Sequence, residues 1–189
     1  VAMDKKTGKT AWQSDRDELS SWSTPYVYLG SPRPELIVNA TRAVRSYDPE
    51  TGKLLWECRG PATAITTPTP TFSNGMIIVS SGYIPEPIRP MTAFLPGASG
   101  DITLKDGETR SAHIVWRQSV AAPYIPSPIA YGDYVYVVLD QGFIACYEAK
   151  TGKEVYGRKR IDVGAAFSAS PVAVDGKLYC GAKRGMCML

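Results

Sequence analysis

The groups suited to acid–base, metal or thiol chemistry are few. His113 is the sole histidine and stands three residues before Trp116, a position that reads as structural rather than catalytic. Asp101, Asp106 and Glu108 crowd one loop and are the candidates for a calcium ion. A calcium loop spaces its oxygen ligands at alternate positions, which GDITLKDGE does not, so no metal is expected. Cys58, Cys146, Cys180 and Cys187 are isolated from one another along the chain. Aligning the last hairpin on residues 137–144 sets Cys180 opposite Cys187 across a turn at Lys183-Arg184. Side chains so placed are close enough for a disulfide, or they fill two buried apolar positions. Cys146 takes a small-residue position, for which burial is sufficient explanation. Arg158-Lys159-Arg160 reads as a solvated outer strand or turn in preference to an anion site. The formal charge is only +3, and with no basic stripe interleaved with aromatics, nucleic acid is not an expected partner.

A repeat must position these groups. Residues 1–12 (VAMDKKTGKTAW), 46–56 (SYDPETGKLLW) and 146–156 (CYEAKTGKEVY) share one pattern: small residue, acid, Thr-Gly-Lys and a terminal aromatic. The carboxylates of Asp4, Asp48 and Glu148 are placed to accept N–H groups of a tight turn. Gly8, Gly52 and Gly152 supply a backbone angle that a Cβ resists. An exposed turn does not need Trp12 or Trp56 at a fixed offset. A flat ring lying on a peptide unit bared by glycine accounts for it, and burying such a ring is worth up to about 4–6 kcal/mol. Trp12, Trp56, Trp116 and Tyr156 are 44, 60 and 40 residues apart. Pro25, Pro70, Pro128 and Pro171, each following Ser or Thr, are 45, 58 and 43 apart. Two markers therefore agree on a unit of propeller-blade length, with an insertion in one unit.

The pattern A-x-D-x-x-T-G-K-x-x-W resembles the tryptophan-docking motif of the PQQ-like β-propeller repeat. That family includes quinoprotein dehydrogenases and the non-enzymatic lipoprotein of the outer-membrane β-barrel assembly machinery. The resemblance implies that the aromatic of one blade stacks on the glycine region of a neighbour, giving this role to Trp12, Trp56, Trp116 and Tyr156. The third copy departs in having Glu148 and Tyr156, and the copy ending at Trp116 has lost its Thr-Gly-Lys. The resemblance covers nearly the whole chain and specifies architecture better than activity.

The expected fold is all-β: a partial β-propeller of four-stranded antiparallel blades, about four of a seven- or eight-bladed ring. A blade tail at 1–16 precedes blades at about 21–60, 64–120 and 123–162 and an incomplete blade at 166–189. Val1 enters in mid-motif and Leu189 stops before the next acidic turn, so the chain is expected to be a segment of a longer propeller. Gly and Pro supply 32 of 189 residues, in keeping with many turns, and no apolar run reaches membrane-spanning length. The insertion centres on residues 96–110. This elongated loop, with Pro96, Asp101, Asp106 and Glu108, is the candidate interaction surface.

A quinone-dependent dehydrogenase would need a quinone, a divalent ion and a carboxylate base. Many such relatives add a vicinal cysteine pair or a CxxCH haem site, and neither motif occurs here. The preferred expectation is a non-enzymatic scaffold, without cofactor, for another protein or the remainder of the propeller. A fragment of a PQQ- and calcium-dependent dehydrogenase is the alternative, and an extracytoplasmic sensor or carbohydrate-associated domain the second. The expected location is periplasmic or otherwise extracytoplasmic, in a bacterium.

Overall fold

The structure is a computed structural model that describes residues 1–60, 63–162, 166–182 and 185–188. Among them there are strands and turns and no helix. β1 (Ala2–Met3) and β2 (Thr10–Trp12) form a short hairpin. β3 (Tyr26–Tyr28), β4 (Glu35–Asn39), β5 (Ala43–Tyr47) and β6 (Leu54–Arg59) form the first blade. The second consists of β7 (Thr71–Ser73), β8 (Met76–Ser80), β9 (Met91–Phe94) and, after β10 (Gly100–Asp101), β11 (Ile114–Gln118). The third has β12 (Ile129–Tyr131), β13 (Tyr134–Leu139), β14 (Phe143–Glu148) and β15 (Glu154–Arg160). A last sheet has β16 (Val172–Val174), β17 (Lys177–Ala182) and β18 (Gly185–Met188). The sheets are blades of a partial β-propeller.

Why such strands make blades is visible in β8, whose five residues, Met-Ile-Ile-Val-Ser, are all buried. Successive side chains of a strand point to opposite faces. Ile77 and Val79 therefore join Ile37, Trp56 and Phe94 in a core shared with blade one. Met76 and Ile78 join Val135, Val137 and Tyr147 in a core shared with blade three. A third core sets Val138 and Ile144 of blade three against Leu178 and Cys180 of β17. A continuous apolar run is what a strand covered on both faces requires.

The hairpin at Asn74-Gly75 has φ of 49° and 78°, the left-handed pair that a two-residue turn demands. The acidic turns recur closely: Gly8, Gly52 and Gly152 have φ of 69°, 71° and 69°. Asp48 Oδ1 accepts the amides of Glu50 and Thr51 at 2.8 and 2.9 Å, and Asp4 does the same for Lys6 and Thr7 at 3.1 and 2.8 Å. The longer Glu148 instead takes the hydroxyl of Thr151 at 2.7 Å.

The four strands of each complete blade pair antiparallel, as expected. One expectation is corrected: β10 is added to blade one, parallel to β6, with Gly100 beside Trp56 and Asp101 beside Glu57. Residues 96–110 are accordingly not a loop alone. They send a strand across to the outer edge of the preceding blade, where Ile102 and Leu104 bury their side chains in the first inter-blade core. The backbone register pairs Cys180 with Cys187. The choice between a disulfide and two buried apolar side chains there turns on the Cys187 side chain and the turn at Lys183-Arg184, which lie outside the described residues.

Candidate interaction surface

The aromatics of the repeat stand at the joints between blades. Trp12 lies flat over Gly52 of blade one, so close that a Cβ there would be 2.4 Å from Trp12 Cε3. Its Nε1 donates to the Pro49 carbonyl at 2.9 Å, and Ser14 Oγ donates to the Gly52 carbonyl at 2.7 Å. Trp116 repeats the arrangement on Gly152 of blade three, where a Cβ would be 2.5 Å from its ring. Its Nε1 donates to Ala149 O and Gln118 Nε2 to Gly152 O, both at 2.8 Å. Tyr156 packs against the third core, and burial pushes its hydroxyl up to about 12.

Trp56 has no Thr-Gly-Lys turn to lie on, since blade two lacks one, and the structure substitutes a buried carboxylate. The ring stacks on Phe94 at 5.2 Å between centroids. Its Nε1 donates to Glu35 Oε2 at 2.7 Å. Glu35 also accepts from Ser46 Oγ at 2.7 Å and from the Gly97 amide, beside Pro96, at 2.6 Å. The Arg33 guanidinium stands 3.7 Å away. A fully buried carboxylate is tolerable only with its lone pairs taken up in this way. Sequence reasoning missed Glu35, although an acid beginning the run Glu-Leu-Ile-Val was a signal.

A second buried ionic group was also missed. Arg45, on β5, pairs with Glu18 and with Glu57, the latter at 3.2 Å. Glu18 accepts from Thr41 Oγ1 at 2.9 Å and from the Arg42 amide at 2.8 Å. Arg42 reaches Asp17 at 3.0 Å. The linker between β2 and β3 is thereby fastened to blade one.

The insertion forms one wall of an open groove of about 630 Å³. Residues 103–109 face Arg59, Ile88, Arg117 and Ser119 across it. Asp101 Oδ1 accepts the Thr103 amide at 2.9 Å, while Thr103 Oγ1 accepts the Arg59 amide at 2.9 Å, bracing the wall. The Thr103 hydroxyl and amide, with the charge of Arg59, hold the Asp101 carboxyl below its ordinary range. Glu108 takes the Lys105 amide at 3.2 Å, and Asp106 is exposed at the turn. Among the described residues no three His, Cys, Asp or Glu side chains are grouped so as to hold a metal ion. The His113 carbonyl accepts the Leu95 amide at 2.9 Å.

Arg117 is the unusual member of the groove. It donates to Thr92 Oγ1 at 3.2 Å and to Cys58 Sγ at 3.5 Å, and it has no ion pair among the described residues. Burial pushes the Cys58 thiol up in spite of this neighbour. Arg59, by contrast, is paired with Glu57 at 3.0 Å.

A family model described as outer membrane protein assembly factor BamB matches residues 1–86 and 97–188. This chain belongs to that family. The interruption in the match falls where the insertion begins. The BamB structure from Moraxella catarrhalis is 15% identical over 96% of this chain, with a TM-score of 0.66. This chain spans 50% of that one. The computationally designed Ika4 protein is 13% identical with a TM-score of 0.61, covering 97% of this chain and 98% of its own. At such identities these structures speak for the fold alone. No curated protein matches the chain. No helix among the described residues is long and apolar enough to cross a membrane.

Proposed function

We propose that this BamB-family chain is a non-enzymatic scaffold that holds another protein against the groove beside its insertion, on the extracytoplasmic side of a bacterial membrane. The observation that carries the reading is the braced wall at 100–109. A parallel strand and the Arg59–Thr103 bond fix it on blade one, so that it faces, across the groove, the exposed Ile88 and an arginine, Arg117, that lacks a counter-charge among the described residues. A rigid, partly apolar groove with a charge awaiting a partner is suited to binding, and the reading requires no cofactor. The family description, an assembly factor, supports a partner that is itself a protein.

Photo-cross-linking in the expressing bacterium tests this. A photoreactive residue replacing Thr109, on the groove, is expected to give a discrete protein adduct that Arg117→Glu abolishes. The same residue replacing Lys150, away from the groove, is expected to give none. Adducts from Lys150 alone, or dye reduction by the protein reconstituted with PQQ and calcium, would overturn the proposal, the latter in favour of a dehydrogenase.

A further inference from the structure

The outer edge of blade one carries a strand that does not come from blade one. β10 is delivered there from the insertion of the next blade and pairs parallel with β6. Beyond the strand, the Ile102 amide donates to the Glu57 carbonyl at 2.9 Å and the Arg59 amide to Thr103 Oγ1 at 2.9 Å. An outermost strand of this propeller thus accepts a further strand while its four-stranded sheet stays intact. The guest carries an acid, Asp101, and the host a base, Arg59, close enough for its charge to act on the Asp101 carboxyl.

The edge of blade three has the host's features without a guest. β15 is seven residues long and pairs with β14 on one side, while among the described residues no strand occupies the other. Lys159 stands three residues after Tyr156, as Arg59 stands three after Trp56. Arg158, Lys159 and Arg160 are exposed, and none makes an ion pair with a described residue. Arg158 Nη2 donates to the Val120 carbonyl at 3.1 Å and Arg160 lies 5.6 Å from the centre of the Phe143 ring. Lysines and arginines on an open edge repel a second copy of the same edge. The same charges attract an extended segment of opposite sign, which a neutral edge would not select. β11, the outer strand of blade two, is shorter, and its one arginine is engaged with Thr92 and Cys58.

We propose that the outer edge of β15 receives an extended acidic segment of a partner protein as a fifth strand, its carboxylates aligned with residues 158–160. The inference rests on the scaffold reading only in taking the partner to be a protein; it concerns a different surface from the groove.

The probe is a capped eight-residue peptide of alternating valine and aspartate, with fluorescence anisotropy for binding and amide hydrogen exchange for location. Saturable binding is expected, with slowed exchange at residues 154–160 and at least tenfold weakening by Lys159→Glu. N-methylation of alternate peptide amides, which keeps every charge but removes the donors along one edge, is expected to abolish it. Binding that survives N-methylation would mean an electrostatic patch only and would overturn the proposal. So would protection at another element, absence of binding, or Lys159-dependent binding to phosphatidylglycerol vesicles in place of the peptide. Thr109 adducts lost with Arg117→Glu but retained with Lys159→Glu would leave the groove reading standing whichever way the peptide experiment falls.

Discussion

The indole Nε1 of Trp56 donates to Glu35 Oε2 at 2.7 Å with both side chains wholly withdrawn from solvent. Where Trp12 and Trp116 lie on a neighbouring blade's glycine turn, this ring is held by a carboxylate of its own blade, which reaches the next blade through the Gly97 amide. Glu35→Ala would leave the donors of Trp56, Ser46 and Gly97 without their acceptor. Its expected cost is about 3–5 kcal/mol, as when one partner of a buried ionic group is removed. Glu35→Gln retains an acceptor and should cost less. Urea unfolding followed by tryptophan fluorescence orders the two.

Trp56→Ala is expected to cost about 3–5 kcal/mol. Trp22, 60% exposed, should cost well under about 1 kcal/mol when truncated, as surface substitutions do. Equal losses in the same denaturant series would remove the special status of the inter-blade ring.

Gly52→Ala and Gly8→Ala separate backbone strain from ring contact, because both positions have φ near 70° but only Gly52 has an indole above it. Strain alone should cost Gly8→Ala about 1 kcal/mol. Gly52→Ala adds a 2.4 Å collision with Trp12 and should lose about 2–4 kcal/mol, within the range for overpacking added to strain. A double variant with Trp12→Ala should recover most of the excess, which a thermodynamic cycle measures.

Acid should act on the turn carboxylates. Asp48 is held below 3.8 chiefly by the Thr51 and Glu50 amides, and Asp4 chiefly by the hydroxyl and amide of Thr7. A depressed carboxylate contributes stability that is present above its unfolded value and is lost as pH falls through its folded one. The urea midpoint should therefore drop below about pH 4, and Asp48→Asn should flatten that limb while lowering the plateau above it.

Tyr156 should act at the other extreme. Burial raises it from 10.0 to about 12, so its contribution is complete below pH 10 and disappears as pH rises through about 12. Tyr156→Phe should make the alkaline limb shallower and remove one late-ionising tyrosine from the absorbance titration at high pH.

The propeller class was legible because its signals are local and repeated: an acid, a glycine and an aromatic at fixed spacing, and apolar runs long enough to be covered on two faces. The acidic turns at Asp4, Asp48 and Glu148 share a backbone as they share letters. The parallel β10 was not legible, since two residues carry no periodicity and their partner lies in another blade. Glu35 and Arg45 were visible as charges inside apolar strands. Their partners, Trp56, Gly97 and Glu18, are 21, 62 and 27 residues away, beyond the reach of any local pattern. At the groove the residue types were readable and their separation was not: Asp101 accepts the Thr103 amide, while Asp106 and Glu108 sit together on the turn at 105–108.

The division of β8 between two interiors has a mechanical consequence. Melting either adjacent blade would strip one side of the strand and wet half its apolar residues, so the cost of losing a blade is shared with the blade left behind. Neighbouring blades should therefore open together rather than singly, and a protease should find β8 among its last cuts.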